Sequence, residues 1–358
     1  MSAHLTQSVS AQSDRFVHDQ LPPPAQWPEL RYDLPELQLP DQLNLVEELL
    51  DKAAGKSWAH RPLLRSPHIT FSYAEVRGRV DRIARVLTED LGLVPGNRVL
   101  LRGGNSIGMA LAWLAVVKAG LIAVATMPLL RARELGDIID KAQPTVALCD
   151  AKLLDELEQA QRAAPVLRSI VKFNAPGDPQ DLGALCAAKP GNFQPCPTAA
   201  DDIAILGFTS GTTGKPKAAV HSHRDIIAAC EAWPRHVLKA TPDDIVVGSP
   251  PLAFTFGLGG LLVFPMWAGA SVYFPDIAYT PEGMVKLINQ IGATICYTAP
   301  TFYRQMAPHA KRHGVAGLRI CASAGEALPD ATRQLWKDAT GIEMLDGIGA
   351  TEMFHIFI

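Results

Sequence analysis

Between residues 69 and 173, short apolar runs alternate with longer amphipathic ones, and that alternation leaves few folds open. A strand over 69–71 leads into Ser72-Tyr73-Ala74-Glu75, the form of a capping box, in which hydroxyl and carboxylate satisfy backbone N–H groups at a helix start. Behind it Val76, Val80, Ile83, Ala84, Leu87 and Leu91 share one helical face, and Gly92 stands where a helix would end. Strands over 98–101, 121–125, 145–149 and 169–173 interleave with helices over 107–119, 131–143 and 152–163. Strands joined by helical crossovers pair in parallel, and a parallel sheet is covered on both faces. The Pro-, Gly- and Ala-rich segment 174–202 predicts a connection between two lobes. Further strands are expected over 203–207, 217–222, 245–249, 271–274, 294–298, 319–323 and 343–345. The fold class is therefore α/β with two helix-flanked sheets, one lobe over 1–200 and a second over 201–358.

Composition narrows the function classes. The 358 residues are 48% apolar and 19% charged, enough for a sizeable core and too few charges for a disordered chain. A net charge of −3 provides no basic excess for a nucleic-acid backbone or an anionic membrane. Residues 1–20 lack the apolar core of a signal peptide, and 21–40 are proline-rich and read as extended over the surface. Two apolar stretches mimic membrane spans, but Lys118 and Gly120 interrupt 107–127, and Gly257, Gly259, Gly260 and Pro265 break 252–269. A span needs about 20 continuous apolar residues. The six cysteines are scattered without a CxxC pair, as in a reducing compartment. The expectation is a soluble, cytoplasmic protein, with a homodimer left open. Its last residues, Met353-Phe354-His355-Ile356-Phe357-Ile358, are apolar without cap or turn, which reads as a fragment.

The strongest local signal is Thr209-Ser210-Gly211-Thr212-Thr213-Gly214-Lys215-Pro216-Lys217, placed directly after an expected strand. Gly211 and Gly214 permit tight backbone turns and close approach of an anion. Exposed N–H groups and four hydroxyls offer donors to phosphate oxygens, and Lys217 adds positive charge. A Walker loop is excluded, because Thr209 stands where it needs glycine and Pro216 where it needs Ser or Thr. Pro216 also opposes direct entry into a helix.

That nonapeptide fills every position of the [ST]-S-G-[ST]-T-G-x-P-K loop of adenylate-forming enzymes, which include acyl- and aryl-CoA ligases, luciferases and peptide-synthetase adenylation domains. Ser323-Ala324-Gly325-Glu326-Ala327-Leu328-Pro329 resembles the adenine-binding segment of that family. Asp346-Gly347-Ile348-Gly349-Ala350-Thr351-Glu352 resembles its G-x-T-E segment, in the expected order. The wording of 250–260, 323–329 and 346–355 is most similar to benzoate-CoA and 2-aminobenzoate-CoA ligases, and Leu-Pro-Pro-Pro-Ala-Gln-Trp-Pro at 21–28 leans toward the latter.

The resemblance implies a two-step reaction with ATP, Mg2+ and coenzyme A. An aromatic carboxylate attacks the α-phosphorus, and the thiol then displaces AMP from the acyl-adenylate. Thr351, Glu352 and Lys217 would be catalytic, with Glu352 the metal ligand and Thr351 on the α-phosphate. Thr209, Ser210, Gly211, Thr212, Thr213, Gly214 and Lys217 would hold phosphates. Ala324, Gly325, Glu326, Asp346, Gly347 and Ile348 would bound adenine, with Ile348 replacing the aromatic of many relatives. Phe254, Thr255, Phe256, Gly257, Thr301, Tyr303, Ser323 and His355 are the acyl-pocket candidates; His221 and His223 read as structural. Two alternatives stand beside aryl-CoA ligation: a ligase for fatty or other acids, and a non-catalytic nucleotide-binding module. Members of the family continue past the Thr-Glu segment into a small C-terminal domain carrying a further lysine. The resemblance implies that these 358 residues keep the ATP and acyl surfaces yet turn over feebly or not at all.

Overall fold

The computed structural model describes residues 9–55, 57–209, 216–276 and 279–358. In chain order its strands are β1 (Pro62–Arg65), β2 (Thr70–Ser72), β3 (Arg98–Arg102), β4 (Ile122–Thr126), β5 (Val146–Asp150), β6 (Ser169–Phe173) and β7 (Ile203–Thr209). They continue as β8 (Lys217–Ser222), β9 (Ile245–Gly248), β10 (Ser271–Tyr273), β11 (Ile295–Thr298), β12 (Ile320–Ser323) and β13 (Met344–Asp346). One sheet has the order β6-β5-β3-β4-β7-β8, the other β13-β12-β11-β9-β10-β1-β2. Both are parallel except at one edge each, where β8 and β2 join by hairpins. Those edges depart from an all-parallel expectation because a short connection can only reverse the chain.

Local chemistry sets the crossovers. Ser72 and Glu75 form the expected capping box at the start of helix Tyr73–Arg85. Ser106 accepts from the Met109 N–H and starts helix Ile107–Lys118, which is buried almost all round. Arg98–Arg102 and Val146–Asp150 are buried at every position, as central parallel strands are. Inside helix Ile107–Lys118, Lys118 ends between Asp51 at 2.8 Å and Asp81 at 2.5 Å, and is 1% exposed.

The sheets do not divide the chain at residue 200. β1 and β2 extend the seven-stranded sheet otherwise built from 245–346, while β7 and β8 complete the sheet built from 98–173. Segment 174–202 therefore joins two strands of one sheet, and it holds the short helix Leu182–Cys186. The physical reason lies in the core: one continuous apolar cluster takes in Leu101 and Trp113 together with Val246 and Tyr297. Among the described residues no helix is long and apolar enough to cross a membrane.

Candidate active site

The segment expected to bind phosphate begins and ends on the β7–β8 hairpin, with Thr209 paired opposite Lys217. Ser210, Gly211, Thr212, Thr213, Gly214 and Lys215 lie outside the described residues. Two residues before Thr209, Gly207 governs what can approach the hairpin. A Cβ there would lie 2.7 Å from Thr351 Cγ2 and 3.7 Å from Thr255 Cγ2. The missing side chain thus lets the Thr-Glu segment and the expected acyl wall both touch the strand that carries the loop. His221 on β8 adds a second tie, its Nε2–H donating to the Thr351 carbonyl at 2.7 Å. Its Nδ1 lies 3.7 Å from Asp225. Burial would raise the Asp225 carboxyl, but bonds from His221 and Ser222 hold it below its ordinary value.

A cavity of about 370 Å³ opens where β9, β11 and β12 end, lined by the residues that follow them, Ser249, Ala299 and Ala324. Open α/β sheets offer their ligand crevices at the carboxyl ends of their strands. One wall is Pro250, Pro251, Phe254, Thr255 and Phe256; the other is Gly349, Ala350, Thr351, His355 and Ile356. Gly325 and Glu326 complete it.

His355 sets a polar ring among the aromatic side chains behind the cavity. It is 3% exposed, and its imidazole meets the rings of Phe264, Phe256 and Trp233 at 4.7, 5.3 and 5.7 Å between centroids. Burial pushes its pKa down to about 3, so the ring is neutral. Nε2–H donates to the Phe256 carbonyl at 3.3 Å, and Nδ1 is buried without a partner.

Four acyl-pocket candidates do not line the cavity. At Gly257 a Cβ would fall 2.1 Å from the Pro251 carbonyl oxygen, so the glycine serves close backbone packing rather than room for a ring. Tyr303 is wholly buried; its hydroxyl donates to the Cys296 carbonyl at 2.7 Å and its ring meets Trp336 edge-on at 4.9 Å. It anchors helix Pro300–His313 into the core. Thr301 is spent on the rim, donating to the Glu326 carboxylate at 2.5 Å. Ser323 is fully buried with an unpartnered hydroxyl. A motif read as a linear string hides which side chains a strand end turns inward.

Of the expected adenine residues, Ala324, Gly325 and Glu326 face the cavity, whereas Asp346, Gly347 and Ile348 precede its wall residues Gly349 and Ala350. Asp346 lies 3.6 Å from Arg333, the Gly347 N–H donates to the Ser323 carbonyl at 3.0 Å, and Ile348 is 62% exposed. Lys217 is exposed at the hairpin base. Glu352 is exposed in the turn Thr351–Met353 and makes no ion pair among the described residues. No group of three His, Cys, Asp or Glu side chains that could hold a metal occurs among those residues. A single exposed carboxylate on the turn that packs against β7 and β8 is a donor set of the kind magnesium takes, since it keeps water and phosphate oxygens, and not one that tetrahedral zinc takes. His223 is structural: wholly buried, it accepts the Leu45 N–H on Nδ1 at 3.0 Å. Sequence reasoning missed Ser249 as a lining residue and His221 as a tie to Thr351; neither carries a local signal.

Two helix-flanked sheets, with a cavity at the strand ends whose lining residue Thr351 touches the β7–β8 hairpin at Gly207, are the architecture of this α/β class. The chain belongs to the family of AMP-binding enzymes, whose model matches residues 50–358. It is 31% identical over 326 residues to the benzoate–CoA ligase of Thauera aromatica, covering 90% of this chain and 62% of that protein. Similarity to the anthranilate–CoA ligase of Pseudomonas aeruginosa is 30% over 271 residues, covering 74% of this chain and 51% of that one. The crystal structure of the anthranilate CoA ligase AuaEII in complex with anthranoyl-AMP superimposes with a TM-score of 0.85 at 31% identity. That match covers 91% of this chain and 63% of the other.

Proposed function

We propose that the protein containing this chain is an ATP-dependent aryl-CoA ligase. Its substrate would be benzoate or 2-aminobenzoate, converted through an aryl-adenylate. The observation that carries the reading is the contact at Gly207, where the strand bearing the phosphate loop meets Thr351 and the aromatic-walled cavity. Similarity to benzoate and anthranilate ligases supports the choice of acid.

Adenylation brings two anions together. At 4 Å and an effective dielectric of 20, each like-charge pair costs about 4 kcal/mol. Donors between Thr209 and Lys217 would hold the phosphates, and Thr351 would orient the α-phosphate for attack. Glu352 would hold a magnesium ion, which supplies charge neutralisation when bound. Phe254 and Phe256 would flank the arene, and neutral His355 would offer Nδ1 as an acceptor without charging the pocket. Coenzyme A would accept the acyl group, and the protein would work in the cytoplasm.

The chain spans 62% of the length of the Thauera ligase, and ligand binding is the test suited to the residues it holds. Titration calorimetry with Mg·ATP should show benzoate and 2-aminobenzoate binding more tightly than octanoate, each aryl acid strengthening ATP. Binding of ATP with no response to any aryl acid would overturn the assignment.

A further inference from the structure

Asn105 lies in the other sheet's territory, 145 residues from the cavity wall, yet both ends of its amide grip that wall. Its Nδ2 donates to the Pro250 carbonyl at 2.8 Å, and its Oδ1 accepts from the Leu252 N–H at 2.8 Å. This is the pattern that one residue of a neighbouring strand would make, supplied by a side chain.

The wall needs such a partner for a chemical reason. Pro250 and Pro251 have no N–H, so the segment leaving β9 cannot continue the ladder by itself. The Pro250 carbonyl and Leu252 N–H are then the groups that an external amide can join. The rest of the wall is built on that segment. The Pro251 carbonyl accepts from the Phe254 N–H at 3.0 Å, closing the turn that presents Phe254. The same carbonyl packs where Gly257 lacks a Cβ. Asn105 itself is well seated. Gly103, two residues before it, packs where a Cβ would lie 2.8 Å from the Phe173 ring, and Ser106 after it caps helix Ile107–Lys118.

We propose that Asn105 is a positioning residue for the acid-binding wall, a bidentate clamp from the six-stranded sheet that fixes Phe254 and Phe256 against the substrate ring. The proposal deepens the aryl-ligase reading and rests on it for the substrate. Asn105→Ala removes both bonds; Asn105→Asp keeps the acceptor for Leu252 and sets a carboxylate against the Pro250 carbonyl.

Two measurements on the 358-residue chain test it. Hydrogen exchange needs no substrate: the Leu252 amide should exchange about tenfold faster or more in Asn105→Ala, with retained protection in helix Tyr73–Arg85 as the folding control. Calorimetry should show benzoate affinity in the presence of Mg·ATP falling about tenfold in both variants, with ATP affinity unchanged. Unaltered exchange at Leu252 would overturn the clamp. So would benzoate and ATP affinities falling in parallel, the signature of a generally loosened fold. A wild-type chain that ignores benzoate while Leu252 exchange still responds to Asn105→Ala would remove the substrate role and the aryl-ligase reading together. Changed exchange with normal benzoate affinity would overturn the substrate role alone.

Discussion

The Nε2–H of His221 donates to the Thr351 carbonyl at 2.7 Å, across 130 residues of sequence. One partner stands on the hairpin that presents the phosphate loop, the other in the Thr-Glu turn proposed to hold phosphate and metal. The bond thereby fixes the spacing of two elements, both proposed to bind anions, that the chain leaves far apart. Phe354 packs edge-on against the same imidazole at 5.6 Å, and Asp225 lies behind it.

Removing that tie should loosen the turn more than the fold. His221→Ala is expected to weaken Mg·ATP binding about three- to tenfold, the worth of one buried hydrogen bond to a backbone acceptor. Stability should fall by about 1–2 kcal/mol from the lost bond and packing. Calorimetry and urea denaturation on the same preparations check both. Unchanged ATP affinity would show that the Thr351 carbonyl does not need His221.

Acid should destabilise the protein through two buried histidines. Burial holds both His223 and His355 at about 3, against an ordinary value of 6.5. Between those values the unfolded chain binds protons that the folded chain refuses, so stability rises with pH. The contribution is complete above pH 6.5 and is lost as pH falls toward 3. Each histidine adds a slope of about 1.4 kcal/mol per pH unit within that window. His223→Gln and His355→Gln should each remove about one proton's worth of slope between pH 5 and 6, read from urea midpoints. An unaltered slope would mean that neither ring is held neutral.

Much of this arrangement was legible in the chain, and the remainder was hidden for definable reasons. The Ser72–Glu75 box, the helix over 107–119 and the hairpin flanks of the Gly/Thr loop are local patterns, governed by residues a few positions apart. Sheet membership is not local. Nothing in Leu63 or Leu64 says that they sit beside β10, and nothing at Ile205 says that its strand joins β4. For the same reason the expected boundary at 200 cut through an interleaved fold. Side-chain direction was hidden as well: Thr301 and Tyr303 share one short motif, but one reaches Glu326 on the rim and the other the core. Lys118 showed in the sequence only as a charge interrupting an apolar run, because its partners lie 37 and 67 residues away.

That lysine should be costly to neutralise. Lys118 is 1% exposed between Asp51 and Asp81, so Lys118→Met strands two carboxylates in a low-dielectric setting. We expect a loss of about 3–5 kcal/mol in urea denaturation at neutral pH. Replacing both aspartates along with the lysine, as Lys118→Met/Asp51→Asn/Asp81→Asn, should recover a large part of it. A single variant as stable as wild type would mean that the aspartates find solvent or other partners.

The two phenylalanines of the cavity wall make the sharpest comparison, because they differ in what else they touch. Phe254 is 42% exposed, with no ring neighbour among the described residues. Phe256 packs edge-on against Tyr297 at 5.8 Å and beside His355 at 5.3 Å, and its carbonyl receives the His355 N–H. If both rings flank an aromatic acid, truncating either should weaken benzoate binding, by about tenfold for a lost aromatic contact and its buried area. Their effects on folding should diverge. Phe254→Ala should cost about 1 kcal/mol or less, since much of the residue is exposed before ligand arrives and no ring packs on it. Phe256→Ala should cost about 2 kcal/mol or more, because it opens space beside Tyr297 and His355. Phe254→Leu should restore part of the benzoate affinity through area alone, and octanoate should respond less than benzoate to either truncation. Benzoate binding indifferent to Phe254 would place the acid elsewhere in the cavity, against the wall formed by Gly349, Ala350 and His355.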